Sequence, residues 1–217
     1  MSIINWAAID TVLLDMDGTL LDLHYDHYFW TTHLPRRYAT IKDQPLDEVQ
    51  ERLGQHVRAL EGTLHWYCLE YWSRYLDIDI GILKREIKDK IQERPYVQDF
   101  LQFLRSQGKT VALVTNAHAI GLDIKLAETA IEQYFDHIIS SHQFQYPKEE
   151  QAFWHALQSH MPFDPQRTLF IDDNVSVLNA AKEYGIVHTL GIHQPDSQIK
   201  RQLNGTPAIS HFDELIA

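Results

Sequence analysis

The chain has 217 residues, 44% of them hydrophobic and 23% charged, a composition that suits a folded globular protein and excludes wholesale disorder. Nineteen basic against 30 acidic residues give a formal net charge of −11, which opposes nonspecific binding to nucleic acid or anionic membrane. An anionic ligand must therefore be held by a local site. A chain of this length buries about 70% of the surface its unfolded form exposes, enough for a substantial core. Cys68 is the only cysteine, so no internal disulfide can form and nothing argues for secretion. Met1 to Leu14 lacks a basic start and is interrupted by Asn5 and Asp10, unlike a signal peptide. No apolar run approaches the ~18 residues of a membrane span. A soluble, cytoplasmic protein is expected, monomer or homodimer, with no nucleic-acid or membrane partner.

The first clear element is the apolar run Thr11 to Asp15, read as a buried strand that stops at the turn sequence Asp17-Gly18-Thr19. Residues 20–94 have helical periodicity and no convincing strand, and read as a helical insertion. Residues 95–107 predict a helix: Pro95 suits a first turn, Val97, Phe100, Leu101 and Leu104 share a face, and Gly108 suits the C-cap. Then come a strand over Thr110–Thr115, a helix over 121–134, a strand over His137–Ser140 and a helix over 149–160. A strand over Thr168–Ile171, a helix over Val175–Tyr184 ending at Gly185, and a strand over 186–190 follow. The tail from 194 to 217 reads as a loop and a short helix. Strands alternating with helices, the strands continuously apolar, give an α/β fold with a parallel sheet. Residues 1–19 and 95–217 would form that core. In such sheets ligands bind beyond the carboxyl ends of the strands, which points to Asp15, Thr115, Ser140 and Asp172.

Four pieces can carry chemistry: Asp15-Met16-Asp17-Gly18-Thr19, Val114-Thr115-Asn116, Lys148, and Asp172-Asp173. Each has an ordinary explanation. An Asp before a Gly is commonly a turn residue, Thr-Asn after a strand a helix cap, and a lone Lys a solvated charge. An acidic pair before a helix only complements its N-terminal dipole, worth ~0.3–1 kcal/mol. Together they say more, because all but Lys148 fall at strand ends on one edge of the sheet. Four carboxylates converging there would repel one another unless a hard divalent cation neutralised them, and oxygen ligands of this kind suit Mg2+.

In their order along the chain, DxDGT after a first strand, Thr-Asn, Lys and a late Asp-Asp resemble the haloacid dehalogenase-like hydrolase superfamily. The resemblance implies a doubly wound parallel sheet, with residues 20–94 as a helical cap of that family's first type. It implies Asp15 as a nucleophile that forms an aspartyl-phosphate and Asp17 as the acid and then the base. Thr115 and the Asn116 N–H would hold the phosphoryl oxygens, and Lys148 would neutralise their charge. Mg2+ would sit on the Asp15 carboxylate, the Asp17 carbonyl, Asp172 and Asp173. Many relatives carry Gly-Asp at the last motif, so which of Asp172 and Asp173 touches the metal stays open. Dehalogenases lack the second motif Asp, so Asp17 argues for phosphoryl transfer. Phosphonate-cleaving members need a cap lysine, and nothing distinguishes Lys42, Lys84, Lys88 or Lys90.

The insertion holds two windows dense in aromatics, residues 24–30 and 66–75, with nine Phe, Trp and Tyr between them. Most of Phe29, Trp30, Trp66 and Trp72 are expected to pack the insertion's own core. One or two over the phosphate would favour a nucleobase, by stacking worth ~1–3 kcal/mol. LLDMDGTLLDL, HYFW, TLHWYCLEYWS, YPKEEQ, RTLFIDD and LGIHQPDS resemble the bacterial purine 5′-nucleotidases of the superfamily. That implies a small phosphomonoester, a purine nucleoside monophosphate such as IMP or GMP, as substrate. Tyr25, Tyr28, Arg36 and Arg37 are candidate substrate contacts. A sugar-phosphate phosphatase or a β-phosphoglucomutase-like enzyme is an alternative, and a receiver-like phospho-acceptor module a more distant one. Thirteen histidines form no HExxH or Cys/His pattern; His24 and His27 read as partly buried hydrogen-bonders, and His142 and His155 receive no role.

Overall fold

A computed structural model describes residues 3–203 and 205–216; residues 1 and 2 of the N-terminal stretch and 204 and 217 of the tail lie outside the described residues. Six parallel strands form one sheet in the order β3-β2-β1-β4-β5-β6. They are β1 (Thr11–Leu14), β2 (Thr110–Thr115), β3 (His137–Ser140), β4 (Thr168–Ile171), β5 (His188–Ile192) and β6 (Ala208–Ile209). β1 lies between β2 and β4, with Leu13 level with Ala112 on one side and Phe170 on the other. The chain winds outward from β1 to β3, then returns to β4 and winds the other way. The crevice between β1 and β4 is therefore the switch point of a doubly wound sheet.

Both faces of the sheet are covered, which is why β1 and β4 are buried at every residue. On one face Leu13, Ala112, Val114 and Phe170 pack with Phe153, Trp154 and Leu157 of α9 (Gln151–His160) and Val177, Leu178 and Ala181 of α10 (Val175–Tyr184). On the other, Val12, Leu14, Val111 and Leu113 meet Phe100, Leu101 and Leu104 of α7 (Val97–Ser106), with Phe212 beyond. That second core runs on into the 20–94 segment through Tyr25, Phe29, Leu53 and Trp72.

The segment is helical among its described residues. α1 (His24–Tyr28) passes through a π-helical turn, Phe29–His33, into α2 (Leu34–Lys42). α3 (Leu46–Leu60), α4 (Leu64–Tyr67), α5 (Leu69–Leu76) and α6 (Ile80–Arg85) follow. Its return to the sheet is pinned by buried Arg94, whose N–H donates to Leu20 O at 2.9 Å and whose guanidinium donates to Gln194 O, Pro195 O and Ser210 O at 2.5, 3.2 and 3.1 Å.

Several boundaries differ from the sequence reading. α7 begins at Val97 because Tyr96 takes a left-handed conformation, φ +64°, leaving Pro95 in the preceding turn and outside the helix. The helix expected over 121–134 is α8 (Ala119–Glu128), which stops where Thr129 is extended; a one-turn helix, Glu132–Tyr134, follows. The last long strand is shifted by two residues, and the tail contributes β6, too short to carry a pattern.

Candidate active site

At the carboxyl edge of the sheet, Asp15 follows β1, Thr115 closes β2 and Asp172 follows β4. The main chain there is already committed: Asp15 donates its N–H to Ile171 O at 3.0 Å and Asp172 to Leu190 O at 3.2 Å. Gly18 sits at φ +82°, and a Cβ on it would lie 2.8 Å from Asp173 Cγ and 2.9 Å from Pro195 Cβ. Only glycine meets both demands, so the DGT turn brings its main chain against the late acidic pair.

Lys148 is 1% exposed and joins the pieces. Its Nζ donates to Asp15 Oδ1 at 2.5 Å, Asp172 Oδ2 at 2.7 Å and Val114 O at 3.1 Å. Its own N–H donates to Asn116 Oδ1 at 2.9 Å, so the loop after β2 fixes the lysine's entry. The Thr115 hydroxyl accepts from Ala117 N at 3.0 Å, and the Asp172 carboxylate from Asn174 N at 2.8 Å. Asp15, Thr115, Asn116, Lys148, Asp172 and Asp173 all line one cavity of about 420 Å3, together with Asp17, Leu23, Trp66 and Tyr67.

Burial pushes the Asp15 carboxyl up to about 6 against the pull of Lys148, with Asp172 adding to the rise. Burial likewise raises Asp172 and, with Asp172 and Asp15 nearby, lifts Asp173 well above the usual range. Lys148 is raised in turn, the two carboxylates overcoming its desolvation. Carboxylate oxygens of Asp15, Asp172 and Asp173 lie within 4.8 Å of one another. Three hard oxygen donors, balanced by one buried lysine and the rim contact of Arg201 to Asp173 at 3.8 Å, leave a deficit of positive charge. That donor set fits a hard divalent cation such as Mg2+.

Asp17 faces differently. Its Oδ1 accepts from Lys125 Nζ at 2.6 Å, and Lys125 reaches Asp26 Oδ2 at 2.7 Å. Lys84 completes the chain at 2.6 Å from Asp26 Oδ1. Burial raises Asp17 to about 6 despite Lys125, with Asp26 and Asp15 adding to the rise. Desolvation acts on half-buried Asp26 too, yet Lys125 and Lys84 hold it well below the usual carboxylate range. Lys84 thus differs from Lys42, Lys88 and Lys90 after all, by burial.

Next to the polar cavity is a second of about 350 Å3, lined by Trp30, Val57, Trp66, Tyr67, Leu69, Ala117 and His118, with Asp17 and Lys125 at one side. The two share Asp17, Leu23, Trp66, Tyr67 and Ala117. Trp66 and Tyr67 stand edge to face, 4.8 Å between centroids, and Tyr67 Oη donates to Glu149 Oε1 at 2.8 Å. Glu149 also accepts from Asn116 Nδ2 at 3.0 Å, linking the helical segment to the loop that holds Lys148. Phe29 and Trp72 are fully buried in the core, while Trp30 and Trp66 are half-buried on the cavity wall.

The four expected substrate contacts lie elsewhere: Tyr25, Tyr28, Arg36 and Arg37 line neither cavity. Tyr25 is buried, its hydroxyl donating to Lys84 O at 3.0 Å. Tyr28 lies under Lys90, 4.7 Å from Nζ, Arg36 is exposed, and Arg37 pairs with Glu86 at 2.8 Å. His24 and His27 sit 3.5 and 3.0 Å from the Asp196 carboxylate. Lys125, Asp26, Glu149, Tyr67 and Arg201 are the site's unexpected members. Its place between Ile124 and Leu126 was the one available signal for Lys125.

A family model for the haloacid dehalogenase-like hydrolases matches residues 9–185. The chain belongs to that family. It is 40% identical over 98% of its length, and 96% of the relative's, to the GMP/IMP nucleotidase YrfG of Escherichia coli. It is 30% identical, over 88% of this chain and 92% of the relative, to a phosphoglycolate phosphatase of Nitrosococcus oceani. A haloacid dehalogenase-like phosphatase of Thermococcus onnurineus superposes with a TM-score of 0.80 at 21% identity, covering 95% of this chain and 96% of that one, which supports the fold. This family member is thus a hydrolase, and its relatives put it among the phosphatases. No described helix is long and apolar enough to cross a membrane.

Proposed function

We propose that the chain is a Mg2+-dependent phosphomonoesterase that works through an aspartyl-phosphate on Asp15 and takes purine 5′-monophosphates as substrates. The observation that carries the reading is the contiguity of the two cavities, one of carboxylates and lysine, one of aromatic rings, joined at Trp66 and Tyr67. The phosphate enters the first and the base the second. The E. coli relative's name as a GMP/IMP nucleotidase favours the same choice. Residues 20–94, as a cap on the strand-end site, supply the base pocket.

An Asp15 oxygen attacks phosphorus and the ester P–O bond breaks, while Asp17 gives its proton to the departing alkoxide. A water then attacks the phosphoryl group and loses its proton to Asp17; the Asp15–phosphorus link breaks, releasing inorganic phosphate. A carboxyl near pKa 6 suits both proton transfers, and Lys125 fixes its position. Lys148, with Thr115 and the Asn116 N–H, offsets the charge of the transferring group. Asp15, the Asp17 carbonyl, Asp172 and Asp173 would hold Mg2+, which when bound supplies positive charge beside the phosphoryl oxygens.

Phosphate release from IMP, GMP, AMP, pyrimidine monophosphates, hexose phosphates and phosphoglycolate, with Mg2+ and with EDTA, tests the reading. Turnover confined to IMP and GMP and abolished by EDTA is expected. Preference for sugar phosphates would overturn the purine assignment, and turnover in EDTA the metal dependence.

A further inference from the structure

A second convergence of metal-ligating side chains exists among the described residues, and the proposed hydrolysis does not use it. Cys68, His118 and His142 bring one ligand atom each to within 4.8 Å of the others. They come from three separate stretches: Cys68 from the joint of α4 and α5, His118 from the N-cap of α8, and His142 from the one-turn helix Ser141–Gln143 after β3. The two imidazoles meet edge to face, 5.0 Å between centroids.

We infer that Cys68, His118 and His142 form a binding site for a zinc-class cation that ties the helical segment to the α/β core. One thiol and two imidazoles are the donor set of zinc and its transition-metal neighbours, and a poor one for Mg2+ or Ca2+. Three protein ligands leave a fourth tetrahedral position to water.

His142 carries the strongest single indication. Its Nε2 is buried with no hydrogen-bond partner. A buried ring nitrogen without a partner is open to an ion. His118 Nδ1 accepts from Ile120 N at 3.4 Å as the cap of α8, a long bond that ligation through either ring nitrogen would give up. Cys68 Sγ accepts from Tyr71 N at 3.4 Å as the cap of α5, a role that leaves the sulfur other lone pairs.

The location gives the site a consequence. Cys68 follows Trp66 and Tyr67, which line both cavities, and His118 lines the apolar one. An ion shared by these ligands would hold Trp66 and Tyr67 against the core and slow turnover; this consequence, unlike the binding, rests on the proposed hydrolysis.

Calorimetric titration of Zn2+ into the full chain with excess Mg2+ tests the site, on wild type, Cys68→Ser and Asp172→Asn. Serine keeps an acceptor for Tyr71 N, so α5 retains its cap. Wild type and Asp172→Asn should bind zinc alike, and Cys68→Ser at least about tenfold more weakly, the lower end of what even outer-shell changes cost. Co2+ should give a thiolate-to-cobalt charge-transfer band in wild type that Cys68→Ser lacks. His142→Gln, which weakens the same band without touching the helical segment, serves should Cys68→Ser not fold. Equal zinc affinity in wild type and Cys68→Ser, or affinity lost only in Asp172→Asn, would overturn the site, as would no binding at all. Zinc should slow phosphate release from IMP in wild type and not in Cys68→Ser; equal slowing of both would overturn the restraint.

Discussion

The two walls of the cleft are built from different material. On the sheet side, each charged group hangs from main chain that the strands have already fixed, as when Asp15 N and Asp172 N complete the ladders of β4 and β5. On the helical side, Trp66 and Tyr67 hang from a helix of four residues, and their place is set by side-chain contacts such as Tyr67 to Glu149. Two of the buried lysines repeat the contrast. Lys148 clamps carboxylates from two adjacent strand ends, Asp15 and Asp172. Lys125 spans the walls, holding Asp17 of the sheet edge and Asp26 of the helical segment. On the proposed reading, the sheet edge carries the reaction and the helices choose what enters.

The largest effect should come from the sheet wall. Asp15→Asn should reduce phosphate release from IMP by at least about 10^4-fold, the scale of a lost nucleophile, with an unchanged circular dichroism spectrum. Residual activity within about tenfold of wild type would remove Asp15 from the nucleophile's role. Asp17→Asn should cost about 10^2- to 10^4-fold, as expected for a lost proton donor. That loss should shrink for a substrate whose leaving group is a phenolate of low pKa, since such a group departs unprotonated. Equal losses on both substrates would assign Asp17 to positioning.

A smaller effect concerns pH and metal together. Asp15 is raised to about 6, and Asp172 and Asp173 are raised with it. Their unfolded counterparts titrate near about 4. In the pH interval from about 4 to 6 the ion-free folded chain therefore binds more protons than the unfolded one, and these groups make stability fall as pH rises. A cation held by the ionised carboxylates acts oppositely, so the gain in Tm on adding Mg2+ should be small at pH 5 and reach several degrees at pH 7. A gain that is larger at pH 5 would contradict the carboxylate site.

The same contrast governs what could be read in advance. Residues at strand ends were legible because an apolar run that stops at Asp15 or Ile171 announces both the strand and the edge where its next residue emerges. Asp15, Thr115, Asn116, Lys148, Asp172 and Asp173 do converge there. Gly18 was readable as a turn, but its closeness to Asp173 was not, since that depends on which strand lies beside β1. Lys125 was not singled out, because nothing local reveals that Asp17 and Asp26 wait on other elements. The same applies to Tyr25, a candidate substrate contact in the sequence that the packing buries. Residues placed by the sheet follow from strand pattern, whereas residues placed by helix packing depend on contacts distant in sequence.

The claim that the sheet wall reacts while the helical wall selects is tested most directly by one comparison. It is kcat/KM for IMP and for phosphoglycolate, in wild type and in Trp66→Ala. Loss of a stacking face worth ~1–3 kcal/mol should lower the value for IMP by about 5- to 150-fold and leave phosphoglycolate within about threefold. Equal losses on both substrates, or none on IMP, would contradict the division of labour between the two walls.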